Sequence, residues 1–267
     1  MDDRPIGMFD SGFGGLTVAR ALIDLLPEED VVYFGDTGRY PYGPRPLGDV
    51  RAYARQIADL LCVRHGVKLL VVACNTATAA ALDDLRRECA VPAIGVIDPG
   101  VRAAVAATRN RSVGVIGTVG TIGSGAYQRA VTVADPSVRL TCASCPGFVE
   151  LVERGETGSD QAYVLAERLL APVRQAHVDT LLLGCTHYPF LARTIGDVMG
   201  RDVVLVSSAD ETAFEVRAVL RSTALGTDEG RVGRHRFVSS GDVGWFKALG
   251  SRLLGPELDG VEAWQWE

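Results

Sequence analysis

Short apolar runs rich in Val, Leu and Ile recur along the chain, and between them apolar residues return at helical spacing. This alternation predicts parallel strands joined by crossover helices. The predicted strands are Ile6 to Phe9, Val31 to Gly35, Leu69 to Ala73, Ala93 to Val96, Val113 to Ile116, Val138 to Cys142, Leu181 to Gly184 and Val203 to Val206. Most are continuously apolar rather than alternating, the pattern of strands buried on both faces. Helical spacing predicts helices over Gly48 to Arg64 and Ser159 to Ala176, and Asp210 reads as the N-cap of a helix from Glu211 to Leu220.

The pattern is also duplicated. Val67-Lys68-Leu69-Leu70-Val71-Val72-Ala73-Cys74-Asn75-Thr76 and Val178-Asp179-Thr180-Leu181-Leu182-Leu183-Gly184-Cys185-Thr186-His187 both run from an apolar strand into a cysteine followed by polar residues placed to begin a helix. Upstream, Ile6-Gly7-Met8-Phe9-Asp10-Ser11 matches Val113-Gly114-Val115-Ile116-Gly117-Thr118 in register, each followed by a glycine-containing turn. Two related half-molecules are the simplest reading: an α/β fold of two pseudo-symmetric domains, each a mainly parallel sheet flanked by helices. The second copy ends before Asp210, so residues 1–97 plus 208–267 are expected to form the first domain and 98–207 the second. Asp98-Pro99-Gly100 and Ser207-Ser208-Ala209-Asp210 are the expected hinges. The active site is expected in the interdomain cleft, a favoured place for pockets.

Composition narrows the class. The chain has 267 residues, 47% hydrophobic and 22% charged, as in an ordinary globular protein. Its 27 basic and 33 acidic residues give a net charge of −6, with no Lys/Arg-rich run, so nucleic acid is not indicated as a partner. The N-terminus lacks the basic and apolar regions of a signal peptide. No uncharged apolar stretch reaches the roughly 18 residues of a membrane span. The expectations are therefore no membrane partner and a cytoplasmic location, where the six cysteines remain thiols.

Candidate chemistry gathers at the strand ends. Asp10-Ser11-Gly12-Phe13-Gly14-Gly15 follows a strand and opens a helix, where backbone N–H groups hold anions. It partly fits a dinucleotide fingerprint, with Asp36 as the ribose acid, but Thr17 stands at the third glycine position and an Asp-Ser pair occupies the phosphate turn. Cys74 and Cys185 taken singly read as small core residues. Taken together, with polar followers at helix starts that lower a thiol pKa, they read as reactive groups. Cys142-Ala143-Ser144-Cys145 has metal or redox spacing without a second ligand pair, and Cys62 and Cys89 read as packing. Asp10 and His187 are candidates to tune the thiols, or else a helix cap and a packed imidazole. Glu153 and Glu150 compete for the inward position on one helix. Thr118 and Thr121 correspond to Ser11 in the other half, or are turn residues. Tyr42 and Gly43 lie in the proline-bracketed loop Arg39-Tyr40-Pro41-Tyr42-Gly43-Pro44-Arg45, suited to present N–H groups to a carboxylate.

Five ordered segments carry a resemblance: Gly7 to Gly15, Tyr40 to Gly43, Ala73 to Ala77, Gly117 to Thr121 and Gly184 to Pro189. In them the chain resembles the glutamate racemases of the aspartate/glutamate racemase superfamily. The resemblance implies an isomerase with no cofactor and no metal, in which one thiolate removes the α-proton and the opposite thiol returns one to the other face. Cys74 would deprotonate D-glutamate and Cys185 L-glutamate, with Asp10, His187 and Glu153 assisting. The implied substrate contacts are Asp10, Ser11, Tyr42, Gly43, Asn75, Thr76, Thr118, Thr121, Thr186 and His187. His187 after Cys185-Thr186 resembles the glutamate branch rather than the aspartate branch. The resemblance further implies a homodimer and a role in supplying D-glutamate for peptidoglycan. The rival readings are another amino-acid racemase of the superfamily, or a non-catalytic anion- or nucleotide-binding α/β module.

Overall fold

The computed structural model describes residues 2–228, 230–258 and 260–266. The chain divides into two compact units, Met1–Val96 with Ala209–Glu267, and Ile97–Ser208. The first segment runs β1 (Ile6–Asp10), α1 (Leu16–Leu25), β2 (Val31–Gly35), α2 (Leu47–Asp59), β3 (Leu69–Val72), α3 (Asn75–Glu88) and β4 (Ala93–Gly95). The second unit follows as α4 (Ile97–Ala107), β5 (Ser112–Gly117), α5 (Val119–Gly123), α6 (Ala126–Ala134), β6 (Arg139–Ser144), α7 (Phe148–Arg154), α8 (Asp160–Leu169), α9 (Ala171–Gln175), β7 (Thr180–Gly184), α10 (Ala192–Met199) and β8 (Val204–Ser207). The chain then returns to the first unit as α11 (Ala209–Ser222), β9 (His235–Ser239), α12 (Val243–Leu254) and β10 (Glu262–Ala263).

Among the described residues, the first sheet has the order β10-β9-β2-β1-β3-β4 and the second the order β6-β5-β7-β8. Every pairing in both is parallel. Stripped of β9 and β10, the first sheet reads second-first-third-fourth in chain order, and so does the second. The duplicated motifs therefore sit on duplicated topology. The central strands β1, β2, β3 and β7 are buried at every position, as their continuous apolar runs require. In the first unit α1 packs on α11 and α12 and α2 packs on α3; in the second α4 packs on α6 and α8 on α10.

Several expectations are corrected. Asp98-Pro99-Gly100, one of the expected hinges, is helical and forms the first turn of α4, where helical N–H groups lack partners and proline's missing donor costs nothing. Gly100 there lets the helix approach β7 closely: a Cβ would lie 3.2 Å from the Leu182 side chain. Ser207 closes β8 and Ala209 opens α11, so of the second expected hinge only Ser208 lies outside a regular element. Asp210 is not an N-cap; it lies inside the first turn of α11, where its charge faces the positive helix end. The helix predicted over 159–176 breaks at Leu170, because Pro172 cannot donate the bond that would continue α8 into α9. Ser159 does cap α8, its Oγ accepting the Ala162 N–H at 3.2 Å. The helix predicted to Arg64 is α2 followed by a π-helical turn, Leu60–Arg64.

Candidate active site

In each unit the strand order reverses at its first strand: β2 lies on one side of β1 and β3 on the other, as β6 and β7 flank β5. Open parallel sheets present their chemistry outside the carboxyl ends of the strands at this switch point. Asp10 ends β1 and Cys74 follows β3; Thr118 follows β5 and Cys185 follows β7.

The first switch point is built from ladder hydrogen bonds. Phe9 pairs with Val72, and the Ala73 N–H donates to the Phe9 carbonyl at 2.9 Å, so Asp10 and Cys74 emerge side by side. Asp10 is fully buried, and its Oδ2 accepts the N–H groups of Gly12 at 3.0 Å and Gly15 at 3.1 Å, which folds the glycine-rich turn around it. Burial pushes the Asp10 carboxyl up, opposed by the N–H donors of Gly15 and Gly12 and by the Cys74 thiol. Cys74 is the N-cap of α3, its Sγ accepting the Ala77 N–H at 3.5 Å. Its thiol is pushed up to about 12, by burial first and the Asp10 charge second, while Ala77 and Ser11 pull the other way. The low thiol pKa expected of a helix start is thus overturned, since at full burial desolvation outweighs the helix end. Ser11, Asn75 and Thr76 are buried beside them.

Tyr33, unnoticed in the sequence, braces this turn: its buried hydroxyl donates to the Gly12 carbonyl at 3.0 Å. Its position inside a continuous apolar strand hid it. Tyr42 is also buried, and its hydroxyl donates to the Asp36 Oδ2, so it anchors the loop that carries Gly43. Asp36, the ribose acid of a dinucleotide reading, is wholly taken up by donors from its own unit.

The second switch point differs at its thiol. Cys185, Thr186 and His187 are buried, but no α-helix begins at Thr186. The first α-helical bond after a Cys185 cap would be donated by residue 189, and Pro189 has no N–H. Instead Tyr188 donates to the Cys185 carbonyl at 3.0 Å and a 3₁₀ turn, Tyr188–Leu191, leads into α10. The Tyr188 hydroxyl fixes this turn by donating to the Cys145 carbonyl at 3.1 Å. Cys145 and Cys142 are free thiols pushed up by burial to about 12 and about 11. Among the described residues, no group of three or more His, Cys, Asp or Glu side chains is placed to hold a metal ion. Cys62 and Cys89 pack against the core of the first unit.

His187 Nε2 lies 3.8 Å from Glu153 Oε1, while Glu150, on the same helix α7, is exposed. Burial pushes the His187 imidazole down to about 4, so it is neutral at neutral pH. Thr118 caps α5 by accepting the Thr121 N–H at 3.2 Å, and the two hydroxyls are 2.9 Å apart.

Residues 16–215 match the Asp/Glu/Hydantoin racemase family. The chain belongs to that family. A glutamate racemase of Beutenbergia cavernae is 54% identical over 273 residues, covering 98% of this chain and 93% of that protein. The crystal structure of a glutamate racemase isoform from Bacillus anthracis superposes with a TM-score of 0.93 at 38% identity, over 100% of this chain and 98% of that one. The Francisella tularensis glutamate racemase, solved in complex with D-glutamate, gives 0.92 at 32% identity over 99% and 98%.

Proposed function

We propose that this chain is a glutamate racemase that interconverts L- and D-glutamate by a two-base mechanism without a cofactor. The observation that carries the reading is the repeated thiol, Cys74 after β3 and Cys185 after β7, each with an ionisable group provided for it: Asp10 beside Cys74, and His187, facing Glu153, two residues after Cys185. High identity to glutamate racemases over nearly the whole chain supports the choice of substrate.

From D-glutamate, the Cys74 thiolate takes the α-proton and the C–H electron pair stays on the α-carbon. The Cys185 thiol then delivers its proton to the other face and becomes the thiolate. One proton enters and one leaves, and L-glutamate starts the reverse reaction at Cys185. A thiol pKa of about 12 at Cys74 makes its thiolate a stronger base than an ordinary cysteine, at the cost of its population. The Asp10 carboxylate offsets that cost by accepting the thiol proton when substrate binds. At the other end His187, neutral and 3.8 Å from Glu153, holds the matching place beside Cys185.

An amino-acid α-proton is much less acidic than either thiol, so the carbanion-like transition state must be held better than the substrate. Ser11, Asn75, Thr76 and the Tyr42–Gly43 loop offer donors in the first unit, and Thr118, Thr121 and Thr186 in the second. The enzyme acts in the cytoplasm as a homodimer and supplies D-glutamate for peptidoglycan; no helix among the described residues is long and apolar enough to cross a membrane.

Incubation with L-glutamate, D-glutamate or aspartate in D₂O tests the reading. The wild type is expected to deuterate the α-carbon of both glutamates as it racemises them, and Cys74→Ser and Cys185→Ser to lose racemisation by about 10³-fold while staying folded. Turnover of aspartate but not glutamate, or racemisation surviving either substitution, overturns it.

A further inference from the structure

The Asp36 carboxylate, buried at the end of β2, gathers four donors from three separate stretches of chain. Its Oδ2 accepts from Tyr42 Oη and from Arg39 Nε at 2.7 Å, both in the loop that follows it. Its Oδ1 accepts from Ser240 Oγ at 2.7 Å and from the indole Nε1 of Trp266 at 2.9 Å. The Arg39 guanidinium is stacked between two rings, 4.2 Å from the centre of Tyr53 and 4.0 Å from that of Trp266. Trp266 reaches this place because the Trp264 N–H, 2.8 Å from the Ser239 carbonyl, fastens the tail to the end of β9, and the indole then packs on Phe34.

A buried carboxylate must have its lone pairs filled, and losing one donor leaves charge without compensation. The three-way arrangement therefore couples the C-terminal tail to the conformation of the 39–43 loop. We infer that Trp266, acting through Asp36 and Arg39, is a positioning residue for the Tyr42–Gly43 loop and so for glutamate binding. This rests on the proposal that Tyr42 and Gly43 contact substrate. Trp266 itself touches no reacting atom; it sets the loop through the shared carboxylate on one side and the stacked guanidinium on the other.

Two variants separate these links. Trp266→Phe keeps a ring against Arg39 and removes the N–H, whereas Trp266→Ala removes both. The full-length proteins are compared for amide exchange of residues 37–45, for KM and kcat with each glutamate enantiomer, and for melting temperature; Gly43→Ala reports whether the loop contacts substrate at all. Faster loop exchange is expected in both Trp266 variants, graded Phe below Ala. KM is expected to rise by about tenfold for Trp266→Ala with kcat within about twofold, the size of one charged hydrogen bond lost from loop positioning. Unchanged loop exchange overturns the inference even if Gly43→Ala raises KM. Faster loop exchange with KM unchanged in the Trp266 variants also overturns it; if Gly43→Ala then leaves KM unchanged as well, the substrate-contact reading of the loop has failed and has taken the inference with it. A fall in kcat and melting temperature with KM constant overturns it too, because that is the signature of a merely structural residue.

Discussion

His187 and Glu153 face each other at 3.8 Å, with the imidazole almost wholly buried and held down to about 4. At neutral pH the imidazole is thus neutral, and its contact with Glu153 is not an ion pair. The stability consequence has a definite sign. Unfolded, the histidine takes up its proton as the pH falls below its ordinary 6.5, while the folded protein refuses it until about 4. The unfolded state binds more protons across that window, so folding weakens as pH falls from 6.5 to 4, by ~3 kcal/mol at most. Thermal denaturation over this range is expected to show His187→Asn losing less stability than the wild type on acidification; parallel curves would assign the acid sensitivity elsewhere.

Gly184 and Gly48 are expected to respond oppositely to alanine. A Cβ on Gly184, one residue before Cys185, would lie 2.7 Å from the Ile116 carbonyl and 2.9 Å from the buried Tyr127 hydroxyl. Backbone cannot yield cheaply, so Gly184→Ala is expected to cost about 1–3 kcal/mol. Gly48, inside α2, has nothing within 4 Å, and alanine there is expected to add about 0.5–1 kcal/mol. Denaturant titration of the two variants measures both signs, and equal effects would refute the steric account.

The strands that carry the thiols were legible because they are buried on both faces and their residues say so without interruption. β9 and β10 were not. His235-Arg236-Phe237-Val238-Ser239 offers two apolar residues, and Glu262-Ala263 is an exposed edge with no hydrophobic signal at all. Motif reading paired Asp10 with Cys74 but left Glu153 and Glu150 to compete for one inward position, and only the structure shows Glu153 3.8 Å from His187. It did not find Tyr33, whose hydroxyl acts from within an apolar run, or the Asp36 cluster, whose donors come from positions 39, 42, 240 and 266. Contacts between such distant residues leave no local periodicity. Pro189 shows the remaining kind of miss: the matching cysteine turns suggested matching helices, and one absent N–H made the second a 3₁₀ turn.

Lys68 and Glu29 form a buried ion pair at 2.6 Å, with Lys68 also donating to the Asp2 carbonyl at 2.6 Å and Glu29 accepting the Thr227 N–H at 3.0 Å. The pair ties β3 to the chain's N-terminal stretch and to the returning segment. Removing one partner leaves an uncompensated buried charge, so Glu29→Ala is expected to cost about 3–5 kcal/mol. The double variant Glu29→Gln with Lys68→Met should recover more than half of that, since no charge then remains to be buried. Equilibrium unfolding of the two variants checks it, and equal losses would mean the packing of Glu29, not its charge, is what matters.

Asp10 makes the sharpest distinction between charge and geometry at Cys74. Its carboxylate raises the thiol pKa, and its Oδ2 holds the turn through Gly12 and Gly15. Asparagine at this position can keep an acceptor for both N–H groups while losing the charge. In Asp10→Asn the Cys74 pKa is therefore expected to fall below about 12, as read from the pH dependence of thiolate absorbance against a Cys74→Ser control. A lower pKa alone would predict a more active enzyme, because more thiolate is present. If Asp10 also accepts the thiol proton, deprotonation of D-glutamate is expected to fall by about 10²-fold despite the extra thiolate, with L-glutamate less affected. The two enantiomers measured separately decide between these outcomes: a rate that rises with the falling pKa would leave Asp10 only an electrostatic and turn-holding part.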